Sequence, residues 1–267
     1  MGNAQHAKNG KKYQLGLALS GGGARGYAHV GVIKALEEYG IQPDLVAGVS
    51  AGSVVGALYC AGYSSEEIIE CFQGEHFKNF AELTVPRVSL FSTTRFYDFL
   101  KHYLGNIQFG ELKKTLVIIA TDLDHGRSHV FDSGSVVQAV WASISIPVIF
   151  PPVVIDGIHY VDGGVLRNFP VLPIREMCNY IIGVNVNPLT ETPYKKNIIG
   201  IAERAYTLMF RSNSLEDSKL CDMLIEPQEA IDYNIFDLKH MHQIEQTGYN
   251  TAISLLSQLQ DKEVLAS

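Results

Sequence analysis

Leu45-Val46-Ala47-Gly48-Val49-Ser50-Ala51-Gly52-Ser53 is the stretch that decides how this chain folds. An apolar run leads into Ser50, and a helical pattern begins directly after it. A serine with glycine two residues to either side, between strand and helix, matches the nucleophile elbow G-x-S-x-G. Such a turn is sharp and strained at the serine, and large flanking side chains would strike the strand and the helix. Gly48, Ala51, Gly52 and Ser53 are all small, so the turn can be tight, with the Ser50 hydroxyl at its tip. The pentapeptide alone also fits an ordinary Gly/Ser turn, so its surroundings have to decide.

Upstream, residues 13–20 carry Leu15, Leu17 and Leu19 and end in Gly21-Gly22-Gly23, which reads as a buried strand. A helix is expected over 26–39, with Val30, Ile33, Ala35 and Leu36 on a 3.6-residue period and Gly40 at its end. A strand over 45–49 and a helix over 51–60, closed by Gly62, complete a strand–helix–strand–helix opening. That pattern implies a parallel sheet with helices on its faces, a three-layer α/β/α fold with a mainly parallel central sheet.

Downstream, Ser64-Ser65-Glu66-Glu67 marks a capped helix start running to about 72. Residues 74–94 are irregular and aromatic, and the span 77–99 serves either as an acyl-chain lid or as ordinary core packing. The remaining pattern predicts a helix over 95–104, a hairpin of strands over 116–121 and 127–131, and a helix over 136–143. Short strands follow over 153–155 and 159–161, with Asp162-Gly163-Gly164 as a loop directly after them. A helix over 170–177, a strand over 181–185, a long helix over 198–217, a strand over 223–226 and a terminal helix over 238–260 complete the chain. No repeat or linker interrupts it, so residues 13–262 are expected to form one domain behind a disordered tail, 1–12.

The 267 residues are 46% hydrophobic with a net charge of −7, which suits a sizeable core and argues against nucleic acid as a partner. Cys60, Cys71, Cys178 and Cys221 form no C-x-x-C and no zinc spacing, and read as thiols of a cytoplasmic protein. No metal or other cofactor is expected, and no calcium-binding helix–loop–helix pattern is present. No run of about 18 apolar residues could span a membrane. The first twelve residues lack the apolar segment of a signal peptide, and Met1-Gly2 is followed by His6 where a myristoylation signal wants Ser or Thr.

Gly21-Gly22-Gly23-Ala24-Arg25-Gly26 also matches the dinucleotide fingerprint G-x-G-x-x-G. That reading needs an acidic residue at the end of the second strand to hold a ribose. Val49-Ser50 stands there, and no acidic residue occurs between Asp44 and Glu66. No Lys followed by Ser or Thr closes the loop, so a Walker A site fails as well. The alternative use is an oxyanion hole, since three glycines expose backbone N–H groups beside a helix N-terminus. A serine nucleophile also needs a base. Of nine histidines, His240 and His242 sit in a helix start, His159 alternates within a strand and His29 lies in the first helix; each reads as a surface or packed side chain. Asp162 is the stronger candidate, although a free carboxylate, with a pKa of about 3.9, is a feeble base unless water is excluded.

Taken in order, the glycine loop, the Gly48–Gly52 elbow and Asp162-Gly163-Gly164 resemble the patatin-like phospholipases, and the compact chain looks most like their bacterial members. Ala142-Ser143, Ile146-Pro147 and Asn168-Phe169-Pro170 add to the likeness. The resemblance implies a Ser–Asp dyad with Ser50 as nucleophile and Asp162 as base, and an oxyanion hole from Gly21, Gly22 and Gly23. Gly48, Ala51, Gly52, Gly163 and Gly164 would support the turns, with Arg25 bracing the loop or facing a lipid phosphate. It implies a lipid ester as substrate, leaves transient contact with a membrane surface and the oligomeric state open, and involves no cofactor. Two other readings are a regulatory protein that keeps the fold with little turnover, and a nucleotide-binding oxidoreductase, which Ser50 disfavours.

Overall fold

A computed structural model describes residues 11–74, 82–83, 89, 91–188, 194 and 196–266. In chain order the elements are β1 (Tyr13–Leu19), α1 (Tyr27–Glu38), β2 (Leu45–Val49), α2 (Ala51–Ala61), α3 (Ser65–Cys71), β3 (Glu82–Leu83), β4 (Phe91–Ser92) and α4 (Thr94–Leu104). They continue with β5 (Thr115–Asp122), β6 (Arg127–Phe131), α5 (Val136–Ser143), β7 (Val153–Ile155), β8 (Ile158–Asp162) and α6 (Leu172–Arg175). The last are β9 (Cys178–Val184), α7 (Ile198–Lys219), β10 (Met223–Ile225) and α8 (Met241–Ala266).

The central sheet runs β10-β9-β1-β2-β5-β8-β7, with β6 also on β5. Strands β10 through β5 are parallel, while β6, β7 and β8 pair antiparallel. Alternation within the parallel strands sorts side chains to two faces. Leu17, Leu19, Val46, Leu116, Ile118 and Val184 face a core built with α1, α2, α3, α4, α5 and α8. Ala18, Leu45, Ala47, Val117 and Ile181 face a second core with Phe169, Val171 and Ile174. The mainly parallel α/β architecture is therefore as expected, and its two helical layers are unequal.

Local chemistry sets several boundaries. Ser64 accepts a hydrogen bond from the Glu67 N–H (3.2 Å) while the Glu67 carboxylate accepts one from the Ser64 N–H (2.8 Å), a capping box that starts α3. The helix expected over 170–177 is a single turn, Leu172–Arg175. β9 starts at Cys178 rather than 181, because its first residues pair with β1 from Tyr13 onward. The tail expected over 1–12 lies mostly outside the described residues. Of its last two residues, Lys11 Nζ donates to the Arg175 carbonyl (2.8 Å), and Lys12 Nζ lies 5.0 Å from the centre of the neighbouring Tyr13 ring.

Between β2 and α2 the chain passes very close to the end of β1. A Cβ on Gly52 would stand 2.3 Å from the Leu19 carbonyl oxygen and 2.6 Å from that of Ser20. Both obstacles are backbone, so they cannot rotate aside. Gly52→Ala is expected to destabilise the fold by about 1–3 kcal/mol through overpacking, read as a lowered urea midpoint at unchanged m-value.

Candidate active site

Ser50 stands at the β2–α2 junction with φ 50° and ψ −123°, a backbone conformation that residues other than glycine rarely hold. Hydrogen bonds fix it there. The Ser50 N–H donates to Ser143 Oγ (2.8 Å), which itself donates to the Ile119 carbonyl (2.6 Å). The Ser50 carbonyl accepts from Ser53 Oγ (2.6 Å) and from the Ser53 N–H (2.9 Å). The strained residue is thus tied to α5, to β5 and to its own helix.

Asp162 was expected in a loop; it is the last residue of β8. Its N–H donates to the Ser145 carbonyl (2.9 Å), and its own carbonyl accepts from Thr121 Oγ1 (3.0 Å). The side chain is fully buried. Oδ2 accepts from Ser50 Oγ at 2.6 Å, and Oδ1 from the Gly164 N–H at 2.7 Å. The Gly163-Gly164 turn is held by α7, where Asn213 Nδ2 donates to the Gly164 carbonyl (2.8 Å). Burial pushes the Asp162 carboxyl up to about 6, and the bonds from Ser50 and Gly164 only partly oppose that rise.

The glycine loop lies against Ser50: a Cβ on Gly21 would meet Ser50 Cβ at 3.1 Å and strike the Asn168 side chain. The Gly21 N–H already donates to the Asn168 carbonyl (3.0 Å). No partner for the Gly22 and Gly23 N–H groups occurs among the described residues. Arg25 is buried. Its Nε donates to the Tyr233 carbonyl (2.8 Å), Nη1 to Asn187 Oδ1 (3.0 Å) and Nη2 to the Ile231 carbonyl (3.3 Å).

The histidines considered as bases, His29, His159, His240 and His242, make their hydrogen bonds and ion pairs elsewhere. His29 is buried in α1, where Nε2 donates to the Ser20 carbonyl (2.8 Å); that carbonyl can only accept, so the tautomer is set. Burial lowers its pKa to about 4, which keeps the ring neutral. His240 pairs with Asp237 in the turn just before α8, His242 with Glu245 in the first turns of α8, and His159 with Asp124. Among the described residues, no group of three or more His, Cys, Asp or Glu converges as metal ligands would.

Ser50 opens onto a cavity of about 140 Å³. Val54, Val55, Phe72, Phe96, Ile144 and Phe150 line it, and no charged side chain does among the described residues. Phe96 and Phe72 both pack on Phe99, with ring centres 5.6 and 5.0 Å apart. The expected aromatic segment thus contributes Phe96 to the cavity wall, while Phe77 and Phe80 lie outside the described residues. Residue patterning did not single out Val54 and Val55 as wall residues, though one turn of helix beyond the elbow is where such a wall must lie.

A family model described as patatin-like phospholipase matches residues 17–174. This chain belongs to the patatin-like phospholipase family. An uncharacterised NTE family protein of Mycobacterium bovis is 32% identical to it over 205 residues, covering 75% of this chain and 57% of that protein. A protein named lysophospholipase NTE1 from Scheffersomyces stipitis is 28% identical over 277 residues, covering 91% of this chain but 18% of its own length. This patatin-like chain therefore spans only part of the length of those relatives. Among solved structures, VipD from Legionella pneumophila shares the fold, with a TM-score of 0.54 over 95% of this chain and 69% of that one at 16% identity.

A carboxyl raised to about 6 binds its proton more tightly in the folded state than at its unfolded value of about 3.9. Its contribution to stability is complete below pH 4 and is lost as pH rises through 6. Asp162→Asn keeps an acceptor for Gly164 without the charge. It is expected to exceed wild type in stability by about 2–3 kcal/mol at pH 8 and to match it near pH 4, measured by urea unfolding across that range.

Proposed function

We propose that the chain is a serine acyl hydrolase that cleaves carboxylic esters of lipids through a Ser50–Asp162 dyad. The observation that carries this reading is the 2.6 Å hydrogen bond from Ser50 Oγ to a fully buried carboxylate, at the mouth of an apolar cavity. Removal from water raises the carboxylate into the range in which a general base works near neutral pH. Family membership and the lysophospholipase name of one relative support a lipid ester as substrate.

In this mechanism Asp162 Oδ2 takes the Ser50 proton as Oγ attacks the ester carbonyl. The oxyanion forms beside the glycine loop, and the Gly22 and Gly23 N–H groups receive it. Gly21 contributes its lack of a side chain rather than a donor, since its N–H is committed to Asn168. The acyl chain lies in the apolar cavity and the alcohol leaves with the proton from Asp162. Water, deprotonated by Asp162, then attacks the acyl carbonyl; the acyl–Oγ bond breaks, Asp162 returns the proton to Ser50 Oγ, and the fatty acid is released. Gly164 holds Oδ1 throughout, so Oδ2 stays turned toward the serine. Arg25 braces the loop through Asn187 and two backbone carbonyls.

An alkyl fluorophosphonate is expected to label Ser50 in wild type and nothing in Ser50→Ala; equal labelling of both proteins would sink the mechanism. Asp162→Asn is expected to lower ester hydrolysis on the order of 10²–10⁴-fold while remaining folded. Because the base must be unprotonated, kcat/KM in wild type falls about tenfold per pH unit below pH 6. Replacing His240 or His242 leaves hydrolysis unchanged; loss of turnover in a folded variant would reinstate a histidine base.

A further inference from the structure

Resting on the acyl-hydrolase reading, we propose that Asn187 is a positioning residue for the oxyanion donors: it sets the plane of the Gly21–Gly22 peptide and so aims the Gly22 N–H. Asn187 lies just beyond β9, the parallel neighbour of β1. Its side chain is buried between Arg25 and the glycine loop. Arg25 carries only donors, so the Asn187 amide oxygen must face Arg25 Nη1, at 3.0 Å. That leaves the amide nitrogen no choice: Nδ2 faces and donates to the Gly21 carbonyl. Asn168 Nδ2 reaches the same carbonyl more weakly, at 3.4 Å.

The consequence follows from peptide geometry. The Gly21–Gly22 bond is trans, so the Gly21 C=O and the Gly22 N–H point in opposite directions. Pinning the carbonyl against Asn187 and Asn168 turns the N–H to the other side of the loop, where no partner among the described residues meets it. Glycine at both positions leaves the peptide free to swing, so the loop's own backbone does not hold the plane. The hold comes from a relay: the Tyr233 and Ile231 carbonyls fix Arg25, Arg25 orients Asn187, and Asn187 fixes Gly21. Asn187 is anchored in turn, since its N–H donates to Asn185 Oδ1 (3.1 Å) and Asn185 Nδ2 donates to Glu226 Oε1 (2.8 Å). Asn187 does not line the cavity. Its effect therefore belongs to the transition state and not to substrate binding.

The test uses the full chain and a short-chain p-nitrophenyl ester. Asn187→Asp keeps an acceptor for Arg25 but removes the donor and sets a carboxylate against the Gly21 carbonyl. Expected is a fall in kcat of about 10–100-fold with KM within about twofold, a smaller loss than that of deleting a donor outright. Inhibition by an alkyl trifluoromethyl ketone, whose adduct carries the oxyanion, should weaken by the same factor as kcat/KM. Affinity for the matching unreactive alkyl ether should stay constant. Should Asn187→Asp fail to fold, Asn187→Ser is read on the same three measurements. A folded variant with kcat within twofold of wild type, or one whose loss lies in KM and ether affinity alike, overturns the proposal. Ser50→Ala is run beside it. If Ser50→Ala is inactive while the Asn187 variants are normal, only the role of Asn187 falls. If Ser50→Ala retains activity, the hydrolase reading falls and this one with it.

Discussion

The site depends on one edge of β5. Along that edge Ile119 pairs with Val49 of β2, and the very next residue, Ala120, pairs with Asp162 of β8. Two strands running in opposite senses thus meet end to end against a common partner. Ser50 follows Val49 and Asp162 ends β8, so the register delivers both side chains to one place. The opposite edge of β5 is occupied by β6 from Ile118 to Asp122, so its ladder spans the junction. A one-residue slip of β8 would turn Asp162 to the other face of the sheet and separate the pair. The 2.6 Å contact is a property of the sheet before it is a property of two side chains.

That contact carries an energetic tension. A buried carboxylate is costly, and the raised titration range of Asp162 measures part of the cost. Ser50 adds a backbone that prefers other conformations. The surrounding structure offsets both with hydrogen bonds: Ser143 on the Ser50 N–H, Gly164 on Oδ1, and Ser145 and Thr121 on the Asp162 backbone. At this one point a strained backbone and a desolvated carboxylate meet, and the hydrogen bonds around them supply the restraint.

Local signals in the chain were strong wherever a local rule applied. The Ser64–Glu67 box started α3 as expected, Gly62 closed α2 with a φ of 105°, and the Ser50 turn took the strained form that small neighbours permit. Where partners lie far apart in the chain, local rules misjudged the boundary. β9 is longer than its own composition indicates because β1 recruits its first residues, and Asp162 is a strand end because Ala120 pairs with it. Asn187 carried no signal at all. It is 166 residues from Gly21, and its role exists only because β9 is the strand that lies beside β1.

By itself, then, the sequence determined which turns are tight, where strands and helices alternate, and which serine and aspartate stand beside small residues. Those features follow from steric rules that act over a few residues. The tertiary structure alone decided that these residues share one point, that the carboxylate is dry, and that the Gly21 N–H is occupied while no partner for those of Gly22 and Gly23 occurs among the described residues. Strand order, register and burial arise from pairings between distant segments, and no local pattern in the chain encodes which segments will meet.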